Sequence, residues 1–327
     1  MSAPFHKKFV SVFYLIVATI LFVAVVYITT AQEEVSLGNP PAELAFVSDR
    51  DGSWDIFRLK PDGTLLNLTN DGTDAVDLFA SWSHDGEAIN FLSNRLEADE
   101  LGPSQVDAEG ETIRNLTVVT AILTLIGEQR FNWDPMWSPD GSKILWASIR
   151  DLNLELYTIG SDVAFDARNF TRHTQRAARD WFHTWSPDGT QVVFNSDAAG
   201  GEDIYVLDLP TGEITPLTAT EEEELHAAWT LDGSAIVFAS ERDRIFAEGF
   251  VDLFIMEPDG SDPRPLLDDR VVQMDPLWSK DGDYVAYTSN QEGNWHIYVM
   301  QADGTKLRRV TEGDAAHLFP VWRPSGN

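Results

Sequence analysis

The chain has 327 residues, with 53 Asp and Glu against 23 Lys and Arg, a formal net charge of −30, and no cysteine. The absence of Cys excludes a disulfide framework, a thiolate metal site and a Cys nucleophile. The acidic balance repels nucleic acid and anionic lipid headgroups, serves as a solubility device, and attracts divalent cations.

Residues 1–8 include Lys7 and Lys8, and Phe9 to Thr29 carries no charged side chain. As a helix those 21 positions span about 31 Å, close to a hydrocarbon core of about 30 Å. The sequence therefore predicts a transmembrane anchor over 9–31, with the short N-terminus cytoplasmic and everything after it outside. A cleaved signal ending at Thr29-Thr30-Ala31 is the rival, and it leads to a secreted product. Residues 32–43, with Gly38, Asn39, Pro40 and Pro41, read as a short linker. Residues 44–327 are long enough for one large core. The exported part holds 21 basic and 53 acidic residues, a net −32.

From here a repeat organises the chain. Trp82, Trp137, Trp185, Trp229, Trp278 and Trp322 recur at intervals of 44 to 55 residues. Five of them open a turn ending in Asp-Gly, as in Trp185-Ser186-Pro187-Asp188-Gly189. Each turn is followed by an apolar–aromatic strand ending in Ser. Four repeats place a polar residue seven positions later: Ser48/Asp55, Ser148/Glu155, Ser196/Asp203 and Ser289/His296. A short fourth strand closes the unit, as in Leu68-Thr69, Phe170-Thr171, Leu217-Thr218 and Val310-Thr311. Four short strands repeated about six times predict an all-β, six-bladed β-propeller. The first unit lacks a Trp-turn strand and His317 to Trp322 supply one, so the C-terminal strand should complete the first blade and close the ring.

The phrase Trp-Ser-Pro-Asp-Gly, then a strand, then Asp203-Ile204-Tyr205, resembles the WD40-like repeat of TolB-like six-bladed propellers, from about Ala45 to the end. The same repeat occurs in the propeller domains of prolyl-oligopeptidase-type enzymes. The resemblance implies a periplasmic protein–protein interaction module. TolB proteins usually carry a separate α/β domain before the propeller, and this chain leaves no room for one, so the TolB partner set is not carried over.

Departures from the repeat mark candidate functional regions. Glu97 to Glu111 in the second blade reads as a long acidic loop between the second and third strands, with strand-like sequence resuming near Arg114 to Leu125. The fifth blade extends the same loop, Glu241 to Val251, on the same face and across the ring. Five residues before each Trp stand Asp77, Asn132, Asp180, Glu224, Gln273 and His317. Blade symmetry arranges these six as a ring at the channel mouth. Two readings stand for them. They bind a ligand, with Asp77, Asp180 and Glu224 as candidate carboxylates for Ca²⁺ or another divalent cation, or they start strands and hydrogen-bond neighbouring backbones. Trp133, Trp181 and Phe319 beside them either pack as core or line a carbohydrate surface.

There is no Gly-x-Ser-x-Gly elbow and no His-Glu-x-x-His, and the seven His are scattered over different repeat positions. The sequence thus points to a monomeric, membrane-tethered, extracytoplasmic propeller that binds or scaffolds a protein partner of the cell envelope. No catalysis, required cofactor or nucleic-acid partner is expected. The alternative is a small-molecule or glycan binder using the channel, including a metal-dependent lyase or a hydrolase accessory domain.

Overall fold

The structure, a computed structural model, describes residues 37–70, 72–97, 100–115, 132–149, 153–160, 170–241, 251–267 and 271–324. These form six four-stranded antiparallel sheets. The inner strands run from each polar residue of the predicted ring to the Trp of its repeat: Asp77–Trp82, Asn132–Trp137, Asp180–Trp185, Glu224–Trp229, Gln273–Trp278 and His317–Trp322. The last of these pairs with Leu44–Ser48 of the first blade, so the ring closes as expected. The anchor at 9–31 and the N-terminus 1–8 lie outside the described residues. Among the described residues no helix is long and apolar enough to cross a membrane. The linker is described from residue 37 onward, where the Gly38 N–H donates to the Arg309 carbonyl at 2.9 Å.

The repeated motif has a direct physical use at each turn. In Trp185-Ser186-Pro187-Asp188-Gly189, the Ser186 hydroxyl donates to Asp188 at 2.6 Å and the Gly189 N–H to the Ser186 carbonyl at 2.9 Å. Gly189 sits at φ +71°, where a side chain would be strained. The Trp that precedes the turn ties blades together. The indole N–H groups of Trp82, Trp185 and Trp322 reach the carbonyls of Val321, Met136 and Leu277 on the inner strand of the preceding blade. The apolar cores lie between blades: Val193 and Ile204 of the fourth pack with Ala227 and Phe238 of the fifth. Burying both faces of each sheet in this way is what makes a ring of otherwise thin sheets stable.

Two sequence expectations are revised, and a third lies largely outside the described residues. The second-blade acidic stretch is mostly a hairpin, with strands Ala88–Glu97 and Glu100–Asp107 paired as far as Ser93↔Gly102 and, past a register shift, again at Glu97↔Glu100. Its fourth strand is Ile113–Asn115. Charged residues are tolerated because the ladder needs only backbone groups, while Ser104 and Val106, opposite Phe91 and Ile89, fill the interior. The extended fifth-blade loop lies largely outside the described residues, although Ser240 and Asp252 that bracket it are register partners. In the third blade Thr171 is exposed, and Thr174 accepts the Leu156 N–H at 3.0 Å, as Thr69, Thr218 and Thr311 do for their blades.

Arg58, 2% exposed, joins the first two blades. It donates to Glu43 at 2.7 Å, to Glu109 at 2.7 Å and to the Ala108 carbonyl at 2.6 Å, and Glu43 also takes Arg323 beside the closing strand at 2.8 Å. Removing a buried cation strands its partners, whereas removing an exposed partner costs little. Arg58→Ala should lower unfolding stability by about 3 kcal/mol, and Glu109→Ala, with a side chain 57% exposed, by less than about 1 kcal/mol. Denaturant midpoints measure both; equal losses would contradict this account of the joint.

Candidate functional site

The residues of the predicted ring occupy one level, each at a joint between blades. Asp77, Asp180, Glu224, Gln273 and His317 are fully buried. Their N–H groups donate across the joint to the carbonyls of Trp54, Leu154, Glu202, Val251 and Trp295 of the preceding blade, at 2.7–3.0 Å. Asn132 opens its strand opposite Ser148. All six face a Ser of the second strand of the blade, which ends that strand in every blade but the second.

Five of the six side chains have described local partners. Asp77 takes Arg95 at 2.5 Å, and Asp180 takes Arg176 at 2.8 Å and the Ser196 hydroxyl at 2.6 Å. Burial pushes both carboxyls above the usual carboxylate range, against the lowering pull of those serines and arginines. Glu224 accepts the Thr220 hydroxyl at 2.8 Å, and Gln273 accepts the Leu253 N–H at 3.1 Å. Across the joint stands the residue that opens the third strand of the preceding blade. Burial, and then the charge of Glu224, raise the Asp203 carboxyl. At the closing joint His296 and His317 stack with ring centroids 5.5 Å apart. Burial holds His296 down to about 4 and His317 down to about 3, with His296 adding to the depression at His317. Among the described residues, no three His, Asp or Glu side chains gather as a metal-ligand set.

The level below is built differently. In each inner strand the register shifts just after the second residue, and at five of the six third positions the residue is described in a left-handed conformation. These are Phe79 (φ 55°), Phe182 (41°), His226 (56°), Asp275 (55°) and Phe319 (55°). They line a cavity of about 90 Å³ on the channel axis. His226 Nδ1 touches Asp275 Oδ1, and both side chains are 8% exposed. Phe182 stacks on His226 at 4.0 Å and Phe79 lies 5.2 Å from Phe319. Reading the sequence for the first residue of each inner strand missed this set, Phe319 excepted. The signal was available: Pro135, Pro276 and Pro320 follow the third position, and Pro lacks the N–H that an unbroken ladder needs.

At the rim, Trp181 is half-buried and donates its indole N–H to Glu202 at 2.9 Å. Arg179, 52% exposed, lies over the Trp181 ring and pairs with Asp197 at 2.7 Å. Burial raises the Glu202 carboxyl. Trp181 in turn packs on Phe182 at 4.8 Å, so an aromatic run leads from rim to channel.

The family model described as TolB beta propeller domain matches residues 112–248. A TolB homolog of Chlorobium luteolum is 30% identical over 142 residues, 41% of this chain and 29% of that protein. An uncharacterized protein of Agrobacterium fabrum is 26% identical over 128 residues, 39% and 42% of the two chains. The chain spans less than half the length of these curated relatives. Among solved structures, TolB from Acinetobacter baumannii superposes with a TM-score of 0.70 at 19% identity, covering 88% of this chain and 68% of that one. An oligogalacturonate lyase from Vibrio parahaemolyticus gives 0.53 at 14% identity, covering 84% and 76%. A puromycin-hydrolyzing peptidase of Mycobacterium tuberculosis gives 0.56 at 15%, covering 86% and 46%. At these identities the structural likeness is one of fold, which serves binding proteins and enzymes alike.

The histidine joint sets a pH dependence. An unfolded histidine takes up its proton near 6.5, and the folded joint refuses it until about 3 to 4, so stability present at pH 7 is lost as pH falls. The raised carboxyls act in the opposite sense, so the comparison must be with a variant. His317→Gln, the residue type at the equivalent Gln273, should lose about 1 kcal/mol less than the parent between pH 7 and 5.5. Denaturation at both pH values measures this, and parallel losses would show that the joint does not titrate this way.

Proposed function

We propose that this TolB-like six-bladed β-propeller is a non-catalytic protein-binding module of the cell envelope, tethered outside the cytoplasmic membrane by residues 9–31. The likeness to TolB supports an interaction module, and the uncharged run from Phe9 to Thr29 supports the tether. The observation that carries the binding reading is the rim cluster of Arg179, Trp181 and Glu202. Arg and Trp are the residue types that dominate binding energy at protein interfaces. Here the indole is fixed by Glu202 and the guanidinium by Asp197, so little side-chain freedom is lost on docking. The strongly acidic exported part favours a partner with a basic contact surface. A specific complex would bury on the order of 1,200–2,000 Å² around this rim. The inner-strand ring then serves beneath the binding face as the set of joints that keeps it rigid.

The test is a cross-linking pull-down from native membranes with the full chain beside an Arg179→Ala/Trp181→Ala variant of unchanged thermal stability. One partner should be enriched by the parent and weakened at least about 30-fold in the variant, the loss expected for two central hot-spot residues. Enrichment of the same proteins by both would remove the rim from the interface. In the same cells the full chain should sediment with membranes, and a chain lacking residues 1–31 should not.

A further inference from the structure

The bulge that turns the third inner-strand residue toward the axis recurs in the described blades and belongs to the fold. The residue types placed there do not. Three of the five described positions are Phe, and an apolar lining would be the least costly filling throughout. His226 and Asp275 are the exceptions, and Asp275 puts a carboxyl group in a cavity faced by Phe79, Phe182 and Phe319. Burying such a group costs several kcal/mol unless it is paired and hydrogen-bonded. Its described protein partner is His226, through Nδ1 and Oδ1. Neither carboxyl oxygen has a further hydrogen-bond partner among the described residues. A carboxylate offers about four acceptor sites, so acceptor capacity remains beyond the His226 contact.

Such a site complements a cation that carries N–H donors. Aromatic faces attract cations and also accept carbon, so Phe79, Phe182 and Phe319 suit an ion with an apolar part. The cavity of about 90 Å³ holds roughly three waters' worth of volume, which suits a head group of a few heavy atoms. His183 also lines the cavity, yet among the described residues no three His, Asp or Glu side chains gather there as a set that could hold a bare metal ion. We propose that the channel cavity is a binding site for a small organic ammonium ion. Asp275 accepts its N–H groups, His226 fixes the orientation of the carboxylate, and the three phenylalanines face the cation and its carbon chain. This site is independent of the rim interface proposed above.

Calorimetric titration of the full chain with n-propylammonium chloride tests it, with sodium chloride and 1-propanol as controls. The ammonium salt should bind saturably and the two controls should not. Asp275→Asn should weaken binding on the order of a hundredfold, the loss of a charge-assisted hydrogen bond in a desolvated site. Phe319→Leu, which keeps an apolar filling and removes one aromatic face, should weaken it about tenfold, and Arg179→Ala should leave it unchanged. Binding of 1-propanol equal to that of the ammonium ion, no heat beyond that of sodium chloride, or undiminished affinity in Asp275→Asn would each overturn the proposal. If Asp275→Asn does not fold, Phe319→Leu decides, and parental affinity in that variant overturns it.

Discussion

The joint between neighbouring blades is the constraint on which the ring depends. Two staples hold it, one at each end of an inner strand. At the start of the strand, the backbone N–H of Asp77, Asp180, Glu224, Gln273 or His317 reaches back to a carbonyl of the preceding blade. At the other end, in three of the joints, the Trp indole does the same. The first staple brings a polar side chain into the interior at these five joints, and that side chain must then be provided for. The structure does so in more than one way. Arg95 and Arg176 neutralise Asp77 and Asp180, Thr220 donates to Glu224, and at the closing joint two imidazoles held neutral by burial replace the acids. Charged pairs of this kind cost desolvation as well as returning Coulombic energy. Their presence is better explained by register, since each pins the start of one strand against the Ser of the next, than by net stabilisation.

Much of this was legible in the sequence because the repeat is a record of pairing. Ser48/Asp55, Ser148/Glu155, Ser196/Asp203 and Ser289/His296, seven residues apart in the chain, are cross-strand partners in the sheets. A constant spacing of that sort can only persist if the hairpin between the two residues keeps a constant length. The missing first strand and surplus last one foretold the closure at Leu44–Ser48 with His317–Trp322. Where the spacing failed, the reading failed with it. Ser93 pairs with Gly102 inside a lengthened hairpin, and acidic residues there suggested a loop because charge on a ladder that extends past the blade carries no alternating signal. The left-handed third residue showed only indirectly, through Pro135, Pro276 and Pro320 just after it, since Phe79, His226 and Asp275 share no chemistry that would announce one backbone conformation.

That last failure separates the two levels of the axis. A joint position is read by its neighbours: it must offer an N–H to the preceding blade and a polar group to a Ser, so Asp, Glu, Gln and His are interchangeable solutions to one packing problem. A bulge position is read by nothing in the repeat. Its backbone is fixed by the register shift, and its side chain is turned out of the ladder toward the axis. The fold therefore places no demand on the residue type there, and whatever demand exists comes from what occupies the channel. A left-handed, non-glycine conformation costs on the order of 1–3 kcal/mol wherever it occurs, yet that cost is common to all the bulges and selects no side chain. Phe at this position is explained by filling space. Asp275 beside His226 is not, because Phe or Ala would fill the same space without burying a carboxyl group. The polar ring above, conspicuous in the sequence, is tied into the blade joints, and the pair below it is where this chain departs from an apolar channel lining.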